Sequence, residues 1–110
     1  MNQIYFDHSS VKTAQLAGGI VRKVLAYSDT VMTTYWEVPL EASIPMHAHP
    51  HEQMSIVISG KAEYTVGDKV YPMNPGDSIV MPPNVPHCVK VLEPLVAIDV
   101  FSPIREDFLK

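Results

Sequence analysis

The chain is poor in cysteine, glycine, tryptophan and positive charge, and several of these shortages remove a class of protein. A single cysteine, Cys88, in 110 residues leaves no intrachain disulfide. Eight Lys and Arg stand against twelve Asp and Glu, a formal net charge of −4. No basic run is present to follow a phosphate backbone or an anionic lipid surface, so no nucleic-acid partner is expected. No apolar stretch approaches the roughly 18 residues needed to cross a bilayer. The first residues, Met1-Asn2-Gln3-Ile4-Tyr5-Phe6-Asp7-His8, lack the basic and apolar regions of a secretory signal. The expectation is a soluble, cytoplasmic protein with no membrane partner. A chain of this length makes one domain, residues 1–110, and buries only about 65% of its unfolded surface.

Long helices are disfavoured as well. Ten prolines and five glycines punctuate the chain, and proline breaks the helical hydrogen-bond ladder. Between them lie short segments rich in Val, Ile, Thr and Tyr, at residues 20–27, 31–38, 54–59, 62–66, 78–81, 88–92 and 95–101. Ser28-Asp29-Thr30 and Gly67-Asp68-Lys69 read as hairpin turns, Ser59-Gly60-Lys61 as a tight corner, and Asn74-Pro75-Gly76-Asp77 as a proline-led turn. The pattern predicts an all-β sandwich or barrel. At the C-terminus, Ser102 followed by Pro103 predicts a capped helical turn.

What the chain does hold is histidine in concentrated form. His47, His49 and His51 fall within Pro45-Met46-His47-Ala48-His49-Pro50-His51-Glu52-Gln53, and His87 follows Pro82-Pro83-Asn84-Val85-Pro86. In an extended chain, residues two apart project to one face about 6.6 Å from each other. Two imidazoles so placed can converge on a cation about 2.1 Å from each nitrogen. His47 and His49 satisfy that spacing, Gln53 shares their parity and can add an oxygen, and His87 closes the set from another strand. An isolated histidine is more often a surface residue, but an HxH pair with a remote partner points to a divalent transition metal such as Ni, Zn, Mn or Fe. Glu52 points away by strand parity, and His51 is left unassigned.

The apolar segment at 95–101 contains one carboxylate, Asp99. Alternation puts Ala97, Asp99 and Phe101 on one face. A buried carboxylate needs a partner such as a Tyr hydroxyl, or a task such as proton transfer. Arg105 follows closely and can clamp a substrate carboxylate; its plainer alternative is a surface pair with Glu106 or Asp107. Cys88, adjacent to His87, points to the opposite face and reads as packing rather than as a nucleophile. Tyr64, Tyr71 and Trp36 are possible lining residues that spacing alone does not separate from ordinary core.

These motifs resemble the cupins. The first cupin motif matches His47-Ala48-His49, Gln53 and Gly60, and the second matches Pro75-Gly76, the segment 78–81 and His87. The resemblance implies a cupin-type jelly roll, also described as a double-stranded β-helix barrel. Many cupins carry glutamate where this chain has Gln53, and the neutral ligand set argues against a two-His, one-carboxylate iron oxygenase.

The stretches 17–27 and 99–109 are similar to a subgroup of small cupins, the pectin degradation proteins KdgF, and that subgroup carries glutamine as a ligand. The resemblance implies metal ligands His47, His49, Gln53 and His87, and functional roles for Asp99, Phe101 and Arg105. It implies conversion of unsaturated uronate monomers, released by pectin or alginate lyases, into linear keto-deoxy sugar acids. It also implies a homodimer. A metal- or sugar-binding sensor without catalysis and a cupin dioxygenase are the competing readings.

Overall fold

The computed structural model describes residues 3–110. It has eight strands: β1 (Thr13–Gln15), β2 (Val21–Tyr27), β3 (Met32–Val38), β4 (Ile44–His47), β5 (Glu52–Val66), β6 (Lys69–Met73), β7 (Ser78–Met81) and β8 (His87–Ser102). Two short 3₁₀ turns, Ala17–Gly19 and Glu106–Leu109, accompany them, and no α-helix occurs among the described residues. Every strand pairing is antiparallel. The all-β expectation is met.

The site depends on β5 and β8, which are each longer than the sequence suggested. The segments 54–59 and 62–66 are one strand, and so are 88–92 and 95–101. The expected corner at Gly60 is instead a bulge inside β5. Pairing with β8 runs from Glu52↔Ser102 to Val66↔His87, with register shifts between Val57 and Ala62. Gly60 has φ +86°, and a Cβ there would run into the Pro94 carbonyl, so only glycine fits the bend. Each long strand thereby has two arms. The first arm of β5 lies between β7 and the second arm of β8, and the other arms extend to β6 and β4. β3, β2 and β1 continue outward from β8. The strands β1, β4 and β6 were not read from the sequence. They are short or interrupted by proline, and they become strands by pairing with neighbours already in place.

Alternation along the paired arms sends one set of residues inward. In β5, Gln53, Ser55 and Val57 are buried while Met54, Ile56 and Ile58 are exposed; in β8, Leu95, Ala97, Asp99 and Phe101 are buried. The inward residues stack in layers. Gln53 opposes Phe101 and Val66 opposes His87; one rung deeper, Ser55 opposes Asp99 and Tyr64 opposes Val89; below these, Val57 opposes Ala97 and Ala62 opposes Val91. The deepest layers join Ile20, Val38, Met73, Met81 and Leu95 in the main core. A second cluster of Val24, Met32, Phe101 and Phe108 fixes the C-terminal tail. That tail departs from expectation. The 3₁₀ turn begins at Glu106 and has no side-chain cap. Ser102 is not a cap, because its hydroxyl donates to the Thr30 carbonyl (2.9 Å) and ties the end of β8 to the β2–β3 turn.

Candidate metal centre and substrate cavity

The three imidazoles named from the sequence converge. Ligand atoms of His47, His49 and His87 all lie within 4.8 Å of one another. The route differs from the one expected, because β4 ends at His47 and His49 lies in the connection to β5. His47 pairs with His87 across β4 and β8. The loop, not strand alternation, carries His49 back over the same point.

Second contacts set the ring orientations. Nδ1 of His47 meets the Pro45 carbonyl (2.8 Å), Nδ1 of His49 the His51 carbonyl (3.1 Å) and Nδ1 of His87 the Val85 carbonyl (3.0 Å). A carbonyl oxygen only accepts, so each Nδ1 carries the proton and each Nε2 of a neutral ring is left with its lone pair. Metal-ligating histidines are held in this way. His87 Nε2 is buried and has no partner within the protein. Burial disfavours the imidazolium of His87, and the neighbouring His47 and His49 add to this, so its pKa is lowered and the ring is kept neutral as a ligand.

Gln53 completes the test of fit. Its Nε2 donates to Asp99 Oδ2 (2.8 Å), which turns its Oε1 toward His49 Nε2 at 2.9 Å. Two acceptors thus face each other at hydrogen-bonding distance, an arrangement that a cation relieves. Three imidazole nitrogens and one amide oxygen fit a divalent transition ion. Glu52 is exposed on the other face of β5, as parity required.

Beside this centre lies a cavity of about 180 Å³ lined by His47, Gln53, His87, Asp99, Phe101 and Arg105 at its polar part. Asp99 is 8% exposed. Burial pushes its carboxyl up to about 6, against the opposing effects of Ser55 and the Gln53 amide. Its Oδ1 is buried and has no hydrogen-bond partner. A carboxyl so poised can take or give a proton near neutral pH. Arg105 makes the pair with Asp107 that was its plainer alternative, and it also lines the cavity. Its Nε and Nη2 donate to Asp107 (3.1 and 3.0 Å), while its guanidinium lies 5.2 Å from the Phe101 ring and 4.2 Å from that of Phe108. The pair and the rings aim the fork into the cavity and leave most of its five donors available.

Residues 34–101 match the model of the cupin domain. The chain is a cupin. Pectin degradation protein KdgF of Dickeya dadantii (strain 3937) is 33% identical over 107 residues, covering 96% of this chain and 97% of that protein. The structure of KdgF from Halomonas sp. superposes with a TM-score of 0.88 at 29% identity, over 96% of this chain and 98% of that one. H2HPP isomerase of Bacillus subtilis is 30% identical over 104 residues, which are 91% of this cupin but 42% of that protein.

Six of the seven residues named from the sequence line the cavity of this cupin, and the seventh, His49, reaches it through Gln53. Tyr64 and Trp36 are lining residues too, whereas Tyr71 is exposed. Sequence reasoning did not separate Tyr64 from the core because its position depends on the Gly60 bend. Phe108 was missed as a support of Arg105, and Asp107 was read as the alternative to a role for Arg105 and not as its support. The signal available was an aromatic residue and an acid within one turn of an arginine. His51 packs edge-on against Phe101 with ring centroids 6.5 Å apart, outside the three-imidazole cluster. Cys88 is half-buried on the opposite face from His87.

Proposed function

We propose that this cupin is a metal-dependent enzyme that opens the ring of unsaturated uronate monomers, yielding linear keto-deoxy sugar acids. The observation that carries the reading is one cavity lined by His47, His87, Gln53, a buried carboxyl and an arginine fork, with His49 converging on the same imidazoles. The likeness to KdgF over nearly the whole chain supports it.

Such a substrate is a cyclic enol ether with a carboxylate and a hemiacetal hydroxyl. Ring opening breaks the bond between the hemiacetal carbon and the ring oxygen and forms an aldehyde and an enol. The enol then becomes a ketone as a proton arrives on the neighbouring carbon. No water, oxidant or reductant is consumed. A divalent ion held by His47, His49, Gln53 and His87 supplies Lewis-acid stabilisation of negative charge developing on oxygen. Arg105 holds the substrate carboxylate. Asp99 moves the proton, its unpartnered Oδ1 being the free end. Phe101 covers the sugar face and keeps water out.

The relative named H2HPP isomerase favours a second reading, an isomerase acting on another substrate. The deciding assay mixes metal-loaded protein with lyase-generated unsaturated galacturonate and follows loss of its ultraviolet absorbance. The expected result is acceleration over the spontaneous rate, abolished by a chelator and restored by metal. No acceleration rejects the uronate reading.

We also propose that two copies pair through the outer sheet face. Met54, Ile56, Ile58 and Val80 are each 39–52% exposed. Val80 and Val100 flank Met54, and Ile98 lies beside Ile56. These six positions carry no charge, so a second copy brings no like charges together there.

A further inference from the structure

The layer beneath the metal ligands contains a group to which the proposed reaction gives no task. Tyr64 is 3% exposed and, among the described residues, is the one hydroxyl-bearing residue lining the cavity. Around it that wall is apolar: Val38, Ile44, Met81, Val89 and Leu95. Trp36 also lines the space, but its indole N–H is engaged with Thr34 Oγ1 at 2.8 Å.

The Tyr64 hydroxyl meets the Ser55 hydroxyl at 2.8 Å. Nine residues separate the two on β5, and the Gly60 bulge brings them face to face. Ser55 is fully buried; either hydroxyl can be the donor, and when Ser55 donates to the Tyr64 oxygen the phenolic proton is free for a ligand. Asp99 stands in the same layer, opposite Ser55 in register, and its Oδ1 is a buried acceptor with no partner. A donor and an acceptor therefore sit together one rung below the metal ligands. Successive inward rungs are two residues apart, about 6.8 Å.

We infer that Tyr64 is a specificity-determining residue that hydrogen-bonds a ligand hydroxyl on the side of the ring remote from the carboxylate. The ligand class is a six-membered-ring carboxylate: the anionic end lies at the metal centre and Arg105, the ring lies against the apolar wall, and one distal hydroxyl is shared by Tyr64 and Asp99. This rests on the reading of the metal and Arg105 end as the anion end. A buried hydroxyl built to meet a ligand hydroxyl discriminates against the analogue that lacks it, because the protein groups are then left unpaired.

Two probes that undergo no reaction separate the inference from the catalytic reading. Zinc-loaded protein is titrated calorimetrically with cyclohexanecarboxylate and with trans-4-hydroxycyclohexanecarboxylate. Wild type is expected to bind the hydroxylated acid about 10-fold more tightly, and Tyr64→Phe to bind the two within about 2-fold of each other. Ser55→Ala, which removes only the partner hydroxyl, is expected to reduce the preference to about 3-fold and carries the test if Tyr64→Phe does not fold. Equal binding of the two acids by wild type, no binding of either, or a preference retained in a folded Tyr64→Phe overturns the inference. If the preference is present and lost on substitution while unsaturated galacturonate is not turned over, the uronate reading fails and the role of Tyr64 stands.

Discussion

His47, His49 and His87 are three imidazoles in different settings, one at a strand end, one in a loop and one buried at the start of β8. Each gives its Nδ1 proton to a carbonyl two residues away in sequence. The same local device thus leaves three Nε2 atoms free to act as ligands, while the motifs themselves were legible through histidine spacing. Asp99 is different, because its burial is decided by what lies across the sheet. Asp99→Asn keeps the size and the contact with Gln53 but removes the exchangeable proton. The expected outcome is a loss of turnover of about 100-fold or more, with metal content by elemental analysis unchanged; full turnover with metal bound would show that another group moves the proton. Asp107, beside Arg105, has its pKa lowered, chiefly by its hydrogen bond to that guanidinium. A carboxyl whose folded pKa lies below its unfolded value contributes stability above about pH 4 and loses it as pH falls through the folded value. The pair is partly exposed, so Asp107→Asn is expected to cost about 0.5 kcal/mol at pH 7. In urea melts the difference from wild type should shrink as pH falls below about 4 and vanish once the folded-state carboxyl is protonated.

Among the elements, β5 shows how one backbone irregularity organises the site. Without the bulge at Gly60, Gln53 could not share a cavity with Tyr64, nor could the Ser55 and Tyr64 hydroxyls meet, since a straight strand would set them about 37 and about 31 Å apart. A side chain at Gly60 meets both a positive φ and the Pro94 carbonyl. Gly60→Ala is expected to destabilise the fold by about 3 kcal/mol or more, read as a lower urea midpoint with an unchanged slope. A loss below about 1 kcal/mol would mean that β5 can bend elsewhere. The sequence placed a glycine punctuation mark here correctly and misread its kind. Corner and bulge share the same residue chemistry, and only the continuation of β8 alongside determines that the strand goes on.

The molecule as a whole faces water with apolar side chains on one sheet face, opposite in alternation to the metal cavity. The pattern in residues 53–58, polar or small inward and large apolar outward over the first positions, reverses the usual sense of a half-buried strand, with Gln53 facing the cavity. Pairing of two copies would cover it. Met54→Asp is expected to convert a dimer to a monomer in light scattering, with folding and metal content retained; a wild-type monomer at tens of micromolar would refute the pairing. Across the whole chain, the sequence by itself determined the all-β class, the family and the identities of the candidate metal ligands, because strand propensity, turn chemistry and histidine spacing are local properties. The tertiary structure alone decided that two pairs of predicted strands are two long bent ones, that Asp99 is buried against Gln53, and that Tyr64 meets Ser55 beneath the three-histidine cluster. Those outcomes depend on register between residues tens of positions apart, which is set by the packing of the barrel and has no signature in any short window of sequence.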